Sequence, residues 1–151
     1  MATGDVTWFD AGLLKIGNKT IDMSGDIRLG LIDSNTTPTA ATADPCWGAG
    51  GTTNLSTDEV GTATAYPGPV DLDSVSWTLS GGKAVFDATD VSIAQDAGGF
   101  TDARWGILYD NAATNKDCVG FVDLGSARSI VTGPLNITWN ASGILTLDQA
   151  A

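Results

Sequence analysis

The chain has 151 residues, a mass of 15.4 kDa and a formal net charge of −11. That length fits one domain and buries roughly 68–70% of the unfolded surface, enough to fold without a metal or disulfide staple. A charged fraction of 17% against 42% hydrophobic residues excludes a disordered chain, and no apolar run approaches the ~18–20 residues of a membrane span. The chain does not open on a basic stretch followed by a long apolar region, so no secretory signal is expected. Histidine is absent, which removes the commonest general base and metal ligand and argues against an enzyme. Seventeen of the 18 acidic residues are Asp, beside 19 Thr, 19 Gly and only four Lys. Asp prefers turns and caps while Glu builds helices, so this is the composition of strands joined by polar turns. The negative charge repels nucleic acid and anionic membranes, and neither is expected as a partner.

In chain order, Trp8 to Ile16 places Phe9, Leu13 and Ile16 on one face of a short helix, with a strand as the alternative. Gly17-Asn18 ends it after about two turns. Asp26 to Asp33 reads as a strand with Ile27, Leu29 and Leu31 on one face. Ser74 to Ser80 alternates Val75, Trp77 and Leu79 with small polar residues. Gly81-Gly82 is a two-residue turn, and Lys83 to Asp87 returns as the hairpin partner. Val91 and Ile93 mark a short strand. Ala103 to Asp110 carries Trp105, Ile107 and Tyr109 on one face, and Asn111 to Asp117 is a polar turn. Cys118 to Leu124 is apolar on both faces apart from Asp123, as a central strand would be. Leu135, Ile137 and Trp139 alternate with polar residues, Asn140 to Gly143 turns, and Ile144 to Leu147 closes the chain. Seven or eight short strands at this spacing predict an all-β fold, a β-sandwich or jelly-roll-like barrel, over residues 1–151.

Residues 34–73 do not fit that pattern. They are rich in Thr, Ala, Gly and Pro, and a structureless loop of this length is unusual inside a compact domain. Either the segment hides a short helix and an edge strand, or it is an arm ordered by a partner. Thr57-Asp58-Glu59-Val60 could open a helical turn. Its large apolar residues include Trp47, Leu55, Val60 and Tyr66.

No constellation supports catalysis. Asp71, Asp73, Asp87 and Asp90 sit in turn-like sequence, and a calcium loop starting at Asp71 fails at its third position. A Ser or Cys nucleophile would lack a histidine partner. Gly48-Ala49-Gly50-Gly51 is not followed by the Lys-Ser/Thr of a phosphate loop. Cys46 and Cys118 could form one bridge, although Cys118 reads as a small buried hydrophobe. Five Asn-x-Ser/Thr triplets, at Asn18, Asn35, Asn54, Asn136 and Asn140, are expected in a chain with 29 Ser plus Thr. No cofactor and no metal ligand are assigned. Of the five tryptophans, Trp77, Trp105 and Trp139 lie on apolar strand faces and are expected in the core. Trp8 is placed there too, leaving Trp47 as the one available to a partner, with folding back over one open end of the sandwich as the alternative.

Several runs resemble small structural proteins of tailed bacteriophages. They are Ile27-Arg28-Leu29-Gly30-Leu31-Ile32, Glu59-Val60-Gly61-Thr62 with Tyr66, Ala103 to Asp110, Asn115-Lys116, Val119 to Gly125 and Ile137 to Leu147. In that family a strand ending in Tyr-Asp is followed by a polar turn and an apolar strand ending in Asp, an apolar residue and Gly. The resemblance implies a virion subunit that decorates and cements the capsid, assembled in the host cytoplasm. Its partners would be the major capsid protein and further copies of itself, as a homotrimer at threefold positions. A copy that binds only the assembled shell stabilises it by mass action. The arm, with Trp47, Tyr66, Pro67 and Pro69, would then touch neighbouring subunits or the shell. A tail component and a carbohydrate- or receptor-binding module are the rival classes.

Overall fold

The computed structural model describes residues 5–148, and they form a mainly β fold with several sheets. Strand β1 (Val6–Trp8) leads into helix α1 (Asp10–Gly17), then β2 (Ile27–Ile32). The long middle segment holds β3 (Pro45–Cys46), β4 (Thr53–Asn54), a 3-10 turn at Leu55–Asp58 and β5 (Val70–Asp71). The hairpin β6 (Ser76–Ser80) and β7 (Lys83–Asp87) follows, then β8 (Val91–Ile93), β9 (Ala103–Asp110), β10 (Cys118–Arg128), β11 (Leu135–Ile137) and β12 (Leu145–Leu147). The helix falls where the apolar spacing placed it. The strand at Val6–Trp8 is one the sequence reading did not separate from it.

A five-stranded sheet in the order β1-β10-β9-β2-β5 organises the molecule. Its inner strands pair antiparallel, with Gly30 opposite Ile107 and Phe121 opposite Ile107 on the other side. Smaller sheets, β12-β7-β6 and β11-β8, accompany it. Ile27, Leu29, Leu31, Leu108, Val122 and Leu124 pack with Phe86, Val91, Ile93, Leu135, Ile137, Trp139 and Leu145 into the larger of two cores. Residues of opposite parity on the same strands, Ile32, Trp105, Ile107, Tyr109 and Phe121, form a second core with Phe9, Trp47, Leu55 and Cys118. Both faces of β9 and β2 are therefore buried.

The hairpin turn is as the sequence predicts. Gly81 and Gly82 have φ of 57° and 83°, the two positive values of a type I′ turn, which matches the right-handed twist of its strands. Trp105 and Trp139 are buried as expected. Trp77 corrects that expectation, because it is only half-buried where the hairpin runs past the core.

Helix α1 lies against β10 through Gly12. A Cβ at that position would come within 2.7 Å of the Val119 carbonyl oxygen and 2.9 Å of that of Cys118. Both obstacles are backbone and cannot swing aside. Gly12→Ala should therefore lift the helix and cost about 1–3 kcal/mol despite the better helix propensity of alanine. Urea denaturation of the variant checks this.

Candidate functional site

The middle segment is not a free arm. It hides both elements that the sequence left open, a helical turn at Leu55–Asp58 and an edge strand, β5. Residues 34–58 return across the second face of the five-stranded sheet. They are tied down by Asp10 N–H to Ala40 O (2.9 Å), Trp47 N–H to Lys116 O (2.9 Å), Asp33 N–H to Asp58 O (3.0 Å) and Val60 N–H to Leu31 O (3.0 Å).

Trp47 corrects the expectation of an available side chain. It is 5% exposed and belongs to the second core. Its ring stacks on Tyr109 at 5.3 Å and 7°. It also lies on Gly30, where a Cβ would come within 2.2 Å of the indole. The ring thus fills a slot that a glycine opens in β2. Sequence reasoning missed this because the three residues meet only through the sheet register.

Tyr66 is fully buried as well. Its hydroxyl accepts from Leu31 N–H (3.0 Å) and donates to Glu59 Oε1 (3.0 Å). Its ring meets Phe100 edge-on at 5.5 Å. The two-residue β5 bonds β2 only at Arg28 and Leu29, so the Tyr66 hydroxyl satisfies an amide beyond the end of that ladder. Burial pushes the phenol well above the usual tyrosine range. Burial also raises the Glu59 carboxyl, against the opposing hydrogen bond from Tyr66. Of the four residues expected to meet a partner, only Pro67, exposed, and Pro69, half-buried, lie at the surface.

The segment brings in one group of charges. Lys15 on α1 bonds the carboxylates of Asp44, beside β3, and Asp117, at the end of the β9–β10 turn. Asp117 is fully buried. The Cys46 thiol lies 3.6 Å from Asp117 Oδ1, while Asp117 Oδ2 has no partner. Burial disfavours the Lys15 ammonium, but its bonds to Asp117 and Asp44 outweigh that and hold its pKa above the usual lysine range. Burial first, and the Asp117 charge second, push the Cys46 thiol up to about 11. Burial likewise raises Cys118. Both cysteines are free thiols, and both are neutral at pH 7. Asp44, Cys46 and Asp117 offer donor atoms within 4.8 Å of one another, and the Lys15 ammonium already holds one oxygen of each carboxylate.

The other aspartates weighed for catalysis serve local structure. Asp71 pairs with Arg28 at 2.8 Å, Asp87 accepts from Ala88 N–H and Asp90 from Trp139 N–H. The Asp73 carbonyl accepts from Thr89 N–H.

Two of the surface features among the described residues bear on function. A groove of about 430 Å³ is lined by Asp5, Trp8, Asn140, Ser142 and Thr146 among others. Trp8 Nε1 donates to Thr146 O there. The second feature is an apolar row across the hairpin sheet. Leu79 pairs with Ala84, and Ala84 with Leu147, so all three share a face. Leu79 is 81% exposed and Leu147 44%. That face is the core-facing one, continued past the end of the core. Among the described residues, no helix is long and apolar enough to cross a membrane.

Two variants test the inward reading of the segment. Trp47→Ala should destabilise the purified chain by about 3–5 kcal/mol, seen in a thermal or denaturant melt. Lys15→Met should cost about 3 kcal/mol, because it leaves the buried Asp117 charge without its cation. The Lys15 pKa is raised on folding, so its contribution is complete at neutral pH. It is lost only as pH rises through that elevated value, and the melt of the native chain should show no loss from this group between pH 6 and 9.

Compared with protein-family models, with curated proteins and with solved structures, the chain matches none of them.

Proposed function

We propose that the chain is an accessory structural subunit of a tailed-bacteriophage virion, a decoration or cement protein that binds the major capsid protein on the assembled shell. The observation that carries this reading is where the resembling runs fall. Ile27–Ile32, Ala103–Asp110 and Val119–Gly125 occupy three consecutive strands of the five-stranded sheet, β2, β9 and β10. Glu59-Val60 is joined to the end of β2 through a bridge from Glu59 to Ile32. The resemblance therefore follows the load-carrying middle of the fold rather than scattered turns. We read the packing of this sheet against β6-β7-β12 and β8-β11 as a β-sandwich, a scaffold suited to such a role. The work of such a subunit is thermodynamic, since each bound copy stabilises the shell that it recognises. Pro67 and Pro69 flank Gly68 at the surface and offer a bend of restricted φ as a contact in place of the buried Trp47 and Tyr66.

Purified subunit added to expanded shells that lack it should co-sediment with them and raise their melting temperature with its concentration. Labelled subunit found on tails and not on shells would overturn the reading. One observation favours a second reading. The Trp8 groove sets an aromatic ring beside Asp5 and Asn140, the side-chain types that hold a sugar ring. A glycan-array signal lost in Trp8→Ala, without shell binding, would select a carbohydrate-binding role instead.

A further inference from the structure

The three-stranded sheet ends on β6, and among the described residues no strand pairs with its outer edge. Natural sheets blunt such edges with Lys, Pro, bulges or very short strands, because an open edge is a template for another chain. β5 is blunted in that way, being two residues long and carrying Asp71. β6 is not. Ser76-Trp77-Thr78-Leu79-Ser80 has no charge and no proline, and pairs with β7 in unbroken register. Between Asp73 and Asp87 the only charged residue is Lys83, in a chain of net charge −11. Two copies of this chain repel each other over most of their surface, but not here.

The edge is also self-complementary. In a two-residue type I′ hairpin the residues flanking the turn, Ser80 and Lys83, form a hydrogen-bonded pair, and bonded and non-bonded pairs then alternate. The N–H and C=O groups of Trp77 and Leu79 therefore point outward. The sequence is symmetric in character about Thr78, with an apolar residue on either side and serine beyond. Trp77 and Leu79 lie on the same face as the exposed row of Ala84 and Leu147.

We propose that β6 is the seam of a twofold dimer, in which two copies pair antiparallel about Thr78 and join their three-stranded sheets into one of six strands. Trp77 of each copy exchanges its outward backbone hydrogen bonds with Leu79 of the other, and their side chains form a cross-strand pair that covers the exposed leucine. The two Thr78 residues meet on the axis as a non-hydrogen-bonded pair, the closest approach in an antiparallel ladder. Such a contact is isologous and closed. It differs from the threefold association that the phage resemblance implies, and it does not depend on the virion reading.

The test is the oligomeric state of the purified chain. Light scattering should give twice the monomer mass. Thr78→Cys should cross-link to a dimer under mild oxidation, because the two cysteines face each other across the axis and the native thiols are buried. Ser80→Cys, whose counterpart lies away from the axis, should not. Leu79→Lys should give a monomer with an unchanged melt, since Leu79 makes little contact in its own chain. Leu79→Pro removes only an outward N–H and should also be monomeric. Leu79→Lys decides the matter if the proline variant fails to fold. A monomeric or trimeric native chain would overturn the proposal. So would a dimer that survives Leu79→Lys, or equal cross-linking of the two cysteine variants.

Discussion

Strands β2, β9 and β10 carry apolar side chains on both faces, and the rest of the fold follows from the need to cover them twice. Leu29, Leu31, Leu108 and Val122 look one way, while Ile32, Trp105, Ile107 and Phe121 look the other. Each such side chain contributes roughly 1.5–3 kcal/mol only if something removes it from water. The smaller sheets cover the first face. The other face is covered by Phe9 at the start of α1 and by Trp47 and Leu55 from the long middle segment, whose only sheet among the described residues is the two-residue pairing of β3 and β4. That is why some forty residues with little regular structure sit inside a compact fold. They are one wall of a core, and their anchor is an indole seated on a glycine.

The charges sit where this wall meets the sheet. Lys15, Asp44 and Asp117 come from the helix, the segment and the β9–β10 turn, so one ammonium touches all three components. A buried carboxylate such as Asp117 is costly without its cation, and the energetic weight of the cluster lies in that penalty more than in net attraction. The Tyr66 hydroxyl acts similarly at the other end of the segment. It holds the Leu31 amide where the short β5 no longer reaches, and donates its own hydrogen bond to Glu59. The segment thus serves both cores, the second through Trp47 and Leu55 and the larger through Val60, Tyr66 and Leu72.

The sequence shows what repeats locally and conceals what is joined at a distance. Alternation placed Leu29 and Leu31 on one face, and Gly81-Gly82 announced its turn because only glycine takes two successive positive φ values at little cost. β3, β4 and β5 are two residues each, too short to show any period. The burial of Trp47 depends on Gly30 and Tyr109, which lie beside it only once β2 and β9 are in register. The Lys15–Asp117 pair spans 102 positions and leaves no trace in local composition. Leu79 illustrates the opposite limit. Its alternation gave the correct face, but a period cannot tell whether anything stands over that face, and here its own chain leaves it open. Pattern reasoning therefore locates the sheet better than it locates the surface, and which large side chains stay exposed is the least legible part.

Residues 34–60 are a wall of the core in the chain on its own rather than an arm that awaits a partner. Native-state hydrogen exchange on the unassembled protein tests it most directly, at the amides of Asp33, Trp47 and Val60, which bond Asp58, Lys116 and Leu31. If the segment is core, these amides exchange through the same cooperative opening as the amides of β9, with comparable protection. Exchange at the rate of an open loop, while β9 stays protected, would contradict the account and return Trp47 to the surface.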